Sequence, residues 1–342
     1  MSSSTTAAAP PLSIRPEAIS APDINNGSGE RAIIAVDKVG GKVRFYDAMS
    51  HAELRAIETE KYPHEVALSP ERRFACVSIY GQGIYGSNPH PGKSIEVFDL
   101  ESMQRTGRIS IEPFFAPHSV MFDPGGLLWV SCDAAQRLLC VDPVKGAVLE
   151  DFDTHSTGSH FMVMTPEASK IYVSNKGDDL GVFNLRKRRF TATLTLPRGT
   201  EGVAATPDGR YVAAADNATG EILYLIDTAS DRIVERVPLD GVPPSHPRRG
   251  RLMRPRFSPD GCFLVVTNYT SGTVHIMGTD NLREQTVLPV AKGPMGVAFA
   301  ADGKRALVSN HDNGIVTVID LPGRRIAGWF EGGEGIETLA YY

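Results

Sequence analysis

Short apolar runs alternate with turn clusters along the whole chain, and the runs are β-branched and too brief for helices. Ile33-Ile34-Ala35-Val36, Tyr211-Val212-Ala213-Ala214 and Phe263-Leu264-Val265-Val266 are typical, and Pro-Asp-Gly or Asn-Ala-Thr-Gly clusters separate such runs. Apolar positions spaced for an amphipathic helix are missing, so the pattern predicts an all-β protein.

The runs recur with a period of about 40 residues, which is the spacing of propeller blades. Six segments align: His64-Glu-Val-Ala-Leu-Ser-Pro70, His118-Ser-Val-Met-Phe-Asp-Pro124, His160-Phe-Met-Val-Met-Thr-Pro166, Glu201-Gly-Val-Ala-Ala-Thr-Pro207, Met253-Arg-Pro-Arg-Phe-Ser-Pro259 and Met295-Gly-Val-Ala-Phe-Ala-Ala301. Each opens a unit. A tight turn follows, then a second strand, an Asn/Asp/Gly-rich connection, a third strand ending near Asp (Asp99, Asp227, Asp320) and a fourth strand. Four strands per unit make a blade.

Two remnants complement each other. Arg31 to Asp37, Lys42 to Asp47 and Glu53 to Thr59 read as strands two to four of a blade without its first strand, and Glu337 to Tyr342 supplies that strand. The prediction is a seven-bladed β-propeller of four-stranded blades, closed by the C-terminal strand completing the N-terminal blade. Closure removes the exposed sheet edges an open arc would present.

These units, with motifs such as Lys170-Ile-Tyr-Val-Ser-Asn175 and Gly209-Arg-Tyr-Val-Ala-Ala214, resemble the YVTN-repeat, or YncE-like, propeller superfamily over Arg31 to Tyr342. The resemblance implies the fold. It leaves the chemistry open, because lactonases, lyases, binding proteins and structural domains share that superfamily, and function resides in the site.

Composition narrows the partners. Residues 1–29 are rich in Ser, Thr, Ala and Pro and read as a disordered tail, leaving 30–342 as one propeller domain. The tail has neither the basic nor the apolar region of a secretory signal, no stretch reaches membrane-span length, and four cysteines lie scattered without metal-type spacing. The expectation is a cytoplasmic protein with free thiols. A formal charge of −5 argues against nucleic acid or an anionic membrane as partner and leaves a small-molecule substrate. Oligomeric state is left open.

In a propeller the first strand of each blade lies nearest the axis, so the first aligned residues form a ring: Glu337, His64, His118, His160, Glu201, Met253 and Met295. Three adjacent blades give His, their two flanking blades give Glu, and the rest give Met. Converging imidazoles suit one divalent metal ion with open positions, held by His64, His118 and His160. Zinc, iron, manganese, nickel and copper all accept this donor set. Glu201 and Glu337 are the candidate acid/base residues.

Connections on the same face supply candidate substrate contacts. Tyr80 to Lys93 reads as one long loop carrying Tyr80, Tyr85 and His90, and Gly241 to Leu252 as another carrying His246, with Arg248, Arg249, Arg251 and Arg254 forming a cationic cluster. Phe114 and Phe115 precede His118, and His311 lies in a further connection. No phosphate-binding loop, dinucleotide fingerprint or nucleophile elbow is present. The leading expectation is a metal-dependent hydrolase, lactonase-like, or lyase. A non-catalytic propeller binding a protein or ligand on its top face is the rival, and iron or copper redox chemistry stands third.

Overall fold

Each apolar run is a strand whose centre is buried on both faces. The computed structural model describes residues 29–84, 87–156, 158–177, 179–196, 199–216, 222–240 and 252–342, apart from the side chains of Leu252 and Met253. In it β1 (Ala32–Asp37) is buried throughout and β2 (Lys42–Asp47) mostly so, whereas the last strand of that blade, β3 (Glu53–Glu58), is largely exposed. Strands buried on both faces need a sheet on either side, and twisted four-stranded sheets meet that need by stacking radially. The described residues form seven antiparallel sheets of four strands. Among them, no helix is long and apolar enough to cross a membrane.

The ring closes through β28 (Ile336–Tyr341), which pairs antiparallel with β1, placing Ile33 opposite Tyr341 and Ala35 opposite Leu339. Asp37 ends β1 and accepts from the backbone N–H groups of Gly335 (3.0 Å) and Glu334 (3.2 Å), while Arg44 Nε donates to it at 2.9 Å. The chain ends are thereby tied covalently distant but hydrogen-bonded close.

Seven apolar clusters fill the seven interfaces between blades, one each. Phe45 packs against Phe98 and, edge-on, against Tyr342 where the closing blade meets the second. Tyr46 packs on Phe330 on its other side and donates its hydroxyl to the Gly332 carbonyl at 2.8 Å. Cys76, Cys132 and Cys140 are buried free thiols, and Cys262 is half-buried.

One expectation changes. The segment read as a loop from Tyr80 to Lys93 belongs instead to two long strands, β5 (Phe74–Ile84) and β6 (Ser87–Asp99), which continue outward as a hairpin. Gly81 pairs with Pro91 and Gln82 with His90, with register shifts on both sides of that stretch. Gly81 has φ +90°, and a Cβ on Gly92 would lie 1.8 Å from the Ile79 carbonyl oxygen. Glycine is required for that close approach, and the irregular pairing erases the alternation by which a strand is read from sequence. The predicted tail and the segment 241–251 lie outside the described residues.

Candidate functional site

The site begins with a repeated irregularity. In β4 (Pro63–Leu68), β8 (Pro117–Phe122), β12 (Ser159–Met164), β16 (Thr200–Ala205), β20 (Leu252–Phe257) and β24 (Pro294–Phe299), the innermost strands of blades two to seven, pairing shifts after the first residue, so two residues oppose one. In β28 the shift falls at Glu337. A bulge re-aims side chains, and the residue it carries is the ring residue in every blade.

A hydroxyl pins most of these bulges. Ser131, on the second strand of its blade, accepts from Ser119 N (3.1 Å) and donates to the His160 carbonyl of the next blade (2.6 Å). Ser78 joins Glu65 N to the His118 carbonyl, Ser174 joins Phe161 N to the Glu201 carbonyl, Thr267 joins Arg254 N to the Met295 carbonyl, and Ser309 joins Gly296 N to the Glu337 carbonyl. Each hydroxyl satisfies a buried donor and a buried acceptor. The position of one ring residue is thus fixed by the blade before it.

Glu337, His64, His118, His160, Glu201 and Met295 all line one pocket of about 380 Å³ at the channel mouth. Its upper wall includes Lys38, Tyr80, Lys176, Tyr269 and His311. All five stand at one repeat position, directly after the last regular residue of a second strand, as in Asn175-Lys176, Asn268-Tyr269 and Asn310-His311. Asp133 occupies that position in blade three. Sequence reading named Tyr80 and His311 but missed Lys38, Asp133, Lys176 and Tyr269, although the repeat marks all of them.

The three imidazoles lie side by side, tilted by 51° and 39° to one another, with ring centroids 4.1 Å apart for His64 and His118 and 3.6 Å for His118 and His160. Tyr80 meets His64 and His118 edge-on, and Phe161 does the same to His118 and His160. Glu201 Oε1 is 2.9 Å from His160 Nε2, and Lys176 Nζ is 3.5 Å from the same oxygen. That leaves His160 Nδ1, 3.9 Å from Asp133 Oδ2. On the opposite flank Glu337 Oε1 is 3.7 Å from His64 Nε2, and Glu337 Oε2 lies 3.5 Å from Lys38 Nζ and 3.4 Å from His311 Nδ1. The Nδ1 atoms of His64, His118 and His160 are buried and form no hydrogen bond.

The electrostatics keep these groups in ligand form. Burial pushes the pKa values of His64 and His118 well below 6.5. Burial, reinforced by Lys176, lowers that of His160 to about 4 against the pull of Glu201. For Glu337 burial acts upward, but Lys38, His64 and His311 outweigh it and hold the carboxyl at about 2. Burial raises Asp133 to about 6, against a 3.0 Å hydrogen bond from the Tyr80 hydroxyl. Neutral imidazole is the metal-binding form.

Two groups of three bring their ligand atoms within 4.8 Å of one another: His118, Asp133 and His160, and His64, Glu65 and Glu337. They divide the histidine arc. Glu65 is already committed, because the Arg254 guanidinium donates to both of its oxygens, Nη1 to Oε2 at 3.1 Å and Nη2 to Oε1. Arg254 also lies over the Phe161 ring at 4.3 Å. This pair, reaching between blades two and six, lies in the channel below the histidines.

The remaining predicted contacts are dispersed. Arg254 is buried and lines a lower cavity rather than the mouth. His90 is exposed on the hairpin, Phe114 packs against the cluster between blades two and three, and Phe115 is half-buried. Tyr85, His246, Arg248, Arg249 and Arg251 lie outside the described residues.

No family model and no curated protein matches this sequence. Among solved structures, a chain of the Kuenenia stuttgartiensis hydrazine synthase is similar, with a TM-score of 0.72 over 85% of this chain and 92% of that chain at 18% identity. At that identity the likeness is one of fold, a seven-bladed β-propeller, on which this chain carries its own histidine arc.

Proposed function

We propose that this chain is a metal-dependent enzyme that acts on a small molecule at the mouth of its channel, by lactonase-like hydrolysis or by lyase chemistry. The observation that carries the reading is the arc of three buried, neutral imidazoles whose Nδ1 atoms form no hydrogen bond, flanked by carboxylates. None of the three nitrogens is hydrogen-bonded, although His64 Nδ1 lies 3.4 Å from Glu65 Oε1 and His160 Nδ1 3.9 Å from Asp133 Oδ2, and such buried ring nitrogens are costly in a protein interior unless a ligand completes them.

His64, His118 and His160 would hold one divalent ion, with Asp133 adding a carboxylate on the His118–His160 side, and the ion would supply Lewis-acid polarisation of a substrate carbonyl. Glu201 holds His160 through Nε2 and so presents Nδ1, the role of a carboxylate behind a ligating histidine. Glu337, kept ionised by Lys38, serves as proton acceptor beside His64. Met295 leaves the opposite wall apolar for the carbon skeleton. The free thiols of Cys76, Cys132 and Cys140 support a cytoplasmic protein, and the charge of −5 supports a small-molecule partner over nucleic acid. Redox chemistry on iron is the second reading, favoured by the two-His, one-carboxylate composition of His118, His160 and Asp133.

Elemental analysis of tag-free protein tests this. The expected result is one metal ion per chain, lost in His118→Ala with the β circular-dichroism spectrum retained, and bound about 10–100-fold more weakly in Glu201→Gln. Metal-free protein, or unchanged metal content in His118→Ala, refutes the proposal in favour of a non-catalytic binding propeller. Visible absorption or an electron-spin signal from the bound metal selects the redox reading.

A further inference from the structure

The hairpin of blade two reaches the site at its base. β5 runs regularly as far as Ile79, opposite Ser94, and resumes with Gly81 opposite Pro91, so that Tyr80 alone faces two residues of β6. A Cβ on Gly81 would lie 2.2 Å from the Gly92 nitrogen, and only glycine lets the two backbones approach in this way. The irregularity turns Tyr80 inward. Its N–H donates to the Tyr62 carbonyl at 3.1 Å, its own carbonyl accepts from Asn88 Nδ2 at 3.0 Å, and its side chain is buried at the pocket wall.

The phenol touches the site twice. Its hydroxyl donates to Asp133 Oδ2 of the neighbouring blade at 3.0 Å, and its ring meets those of His64 and His118 edge-on, with centroids 5.3 and 5.4 Å away. Asp133 Oδ1 accepts from the Ala134 N–H at 2.5 Å. With one donor on each oxygen the carboxylate is held in orientation, and a lone pair of Oδ2 is left beside His160 Nδ1, 3.9 Å away. Because His160 binds Glu201 through Nε2, the lone pair of its neutral ring is on that Nδ1, which is buried without a hydrogen bond. Two acceptors held face to face repel unless a cation is shared between them. A second tyrosine offers a comparison: Tyr269 holds the same repeat position in blade six and gives its hydroxyl to Asp312 of the next blade, but Asp312 belongs to neither group of clustered ligand atoms.

We propose that Tyr80 is a positioning residue of the metal site, its hydroxyl holding the Asp133 carboxylate against the His118–His160 side of the arc and its ring bracing His64 and His118. This role presupposes the metal assigned to the arc. It also gives the hairpin a task, since the glycines that bend its base are what bring Tyr80 to the arc.

The full chain, stripped of metal, is titrated with Co²⁺ alone, affinity being read by chelator competition and coordination by the visible spectrum. Tyr80→Phe keeps the ring and is expected to bind Co²⁺ about 10–100-fold more weakly than the native chain, with an altered visible spectrum and an unchanged circular-dichroism spectrum. Asp133→Asn shows a loss of the same order. The double variant Tyr80→Phe/Asp133→Asn binds no more weakly than Asp133→Asn, because the hydroxyl acts through that carboxylate. Tyr269→Phe keeps the native affinity. If Tyr80→Phe fails to fold, Asp133→Asn against the double variant still decides, since an unpaired amide is less costly to bury than an unpaired carboxylate. Native affinity in Tyr80→Phe, additive losses in the double variant, or an equal loss in Tyr269→Phe would overturn the proposal. A native chain that binds no Co²⁺ refutes the metal assignment itself, and with it any positioning role for Tyr80.

Discussion

Replacing Ser131 with alanine removes one oxygen and breaks the link between two blades at the centre of the histidine arc. The hydroxyl receives Ser119 N–H and donates to the His160 carbonyl, and all three residues are buried. Alanine fits the space but leaves one donor and one acceptor stranded in adjacent bulges. Each stranded group costs about 1–3 kcal/mol, so the variant is expected to lose roughly 2–4 kcal/mol once partial relaxation is allowed. That is a large share of the 5–15 kcal/mol typical of a folded domain. Urea unfolding followed by circular dichroism measures the loss as a lower midpoint with an unchanged slope. Ser131→Thr supplies the control, because Thr267 makes the same two bonds in blade six; it is expected to stay within about 1 kcal/mol of the native protein. Metal affinity should fall in Ser131→Ala and not in Ser131→Thr, since the lost bond fixes the backbone of His160. A Ser131→Ala midpoint equal to the native one would refute the idea that hydroxyl bridges hold the bulges.

Metal-free protein should lose stability on mild acidification. The folded pKa of His160 is lowered from 6.5 to about 4, so the stability it contributes is present above about pH 6.5 and is lost as pH falls toward 4; His64 and His118 act in the same direction. Asp133, raised from 3.8 to about 6, opposes them by recovering stability over the same fall. Three groups outweigh one, so the denaturant midpoint should drop between pH 7 and pH 5, and a flat profile would contradict the assignment of neutral imidazoles. Deleting residues 336–342 removes β28 together with Ile336, Leu339, Tyr341 and Tyr342 from two blade interfaces. At about 1.5–3 kcal/mol per large apolar side chain the loss is roughly 6–12 kcal/mol, enough to unfold the ring. Glu337→Gln keeps the strand and should fold, which circular dichroism of the two variants distinguishes.

The repeat made the blades, the closing strand and the ring of first residues legible, because a fixed period transfers the geometry of one blade to all the others. It marked the second ring as well: Lys38, Asp133, Lys176 and Tyr269 follow the second strand as regularly as His64 or His118 opens the first. They escaped notice because their residue types differ, so that no shared chemistry drew attention to the position. The hairpin from Tyr80 to Lys93 was hidden for another reason, since its glycines and irregular pairing imitate a loop.

By itself, then, the order of residues determined which side chains share an axis, as periodicity alone sets position around a ring. The tertiary structure decided what those side chains do to one another. Glu65 and Arg254 are 189 residues apart and meet inside the channel; Glu201 takes one nitrogen of His160 and leaves the other facing Asp133. Such pairings depend on the radius of the closed ring and the direction given to each side chain by its bulge. Both arise only when seven blades pack together and the last strand completes the first.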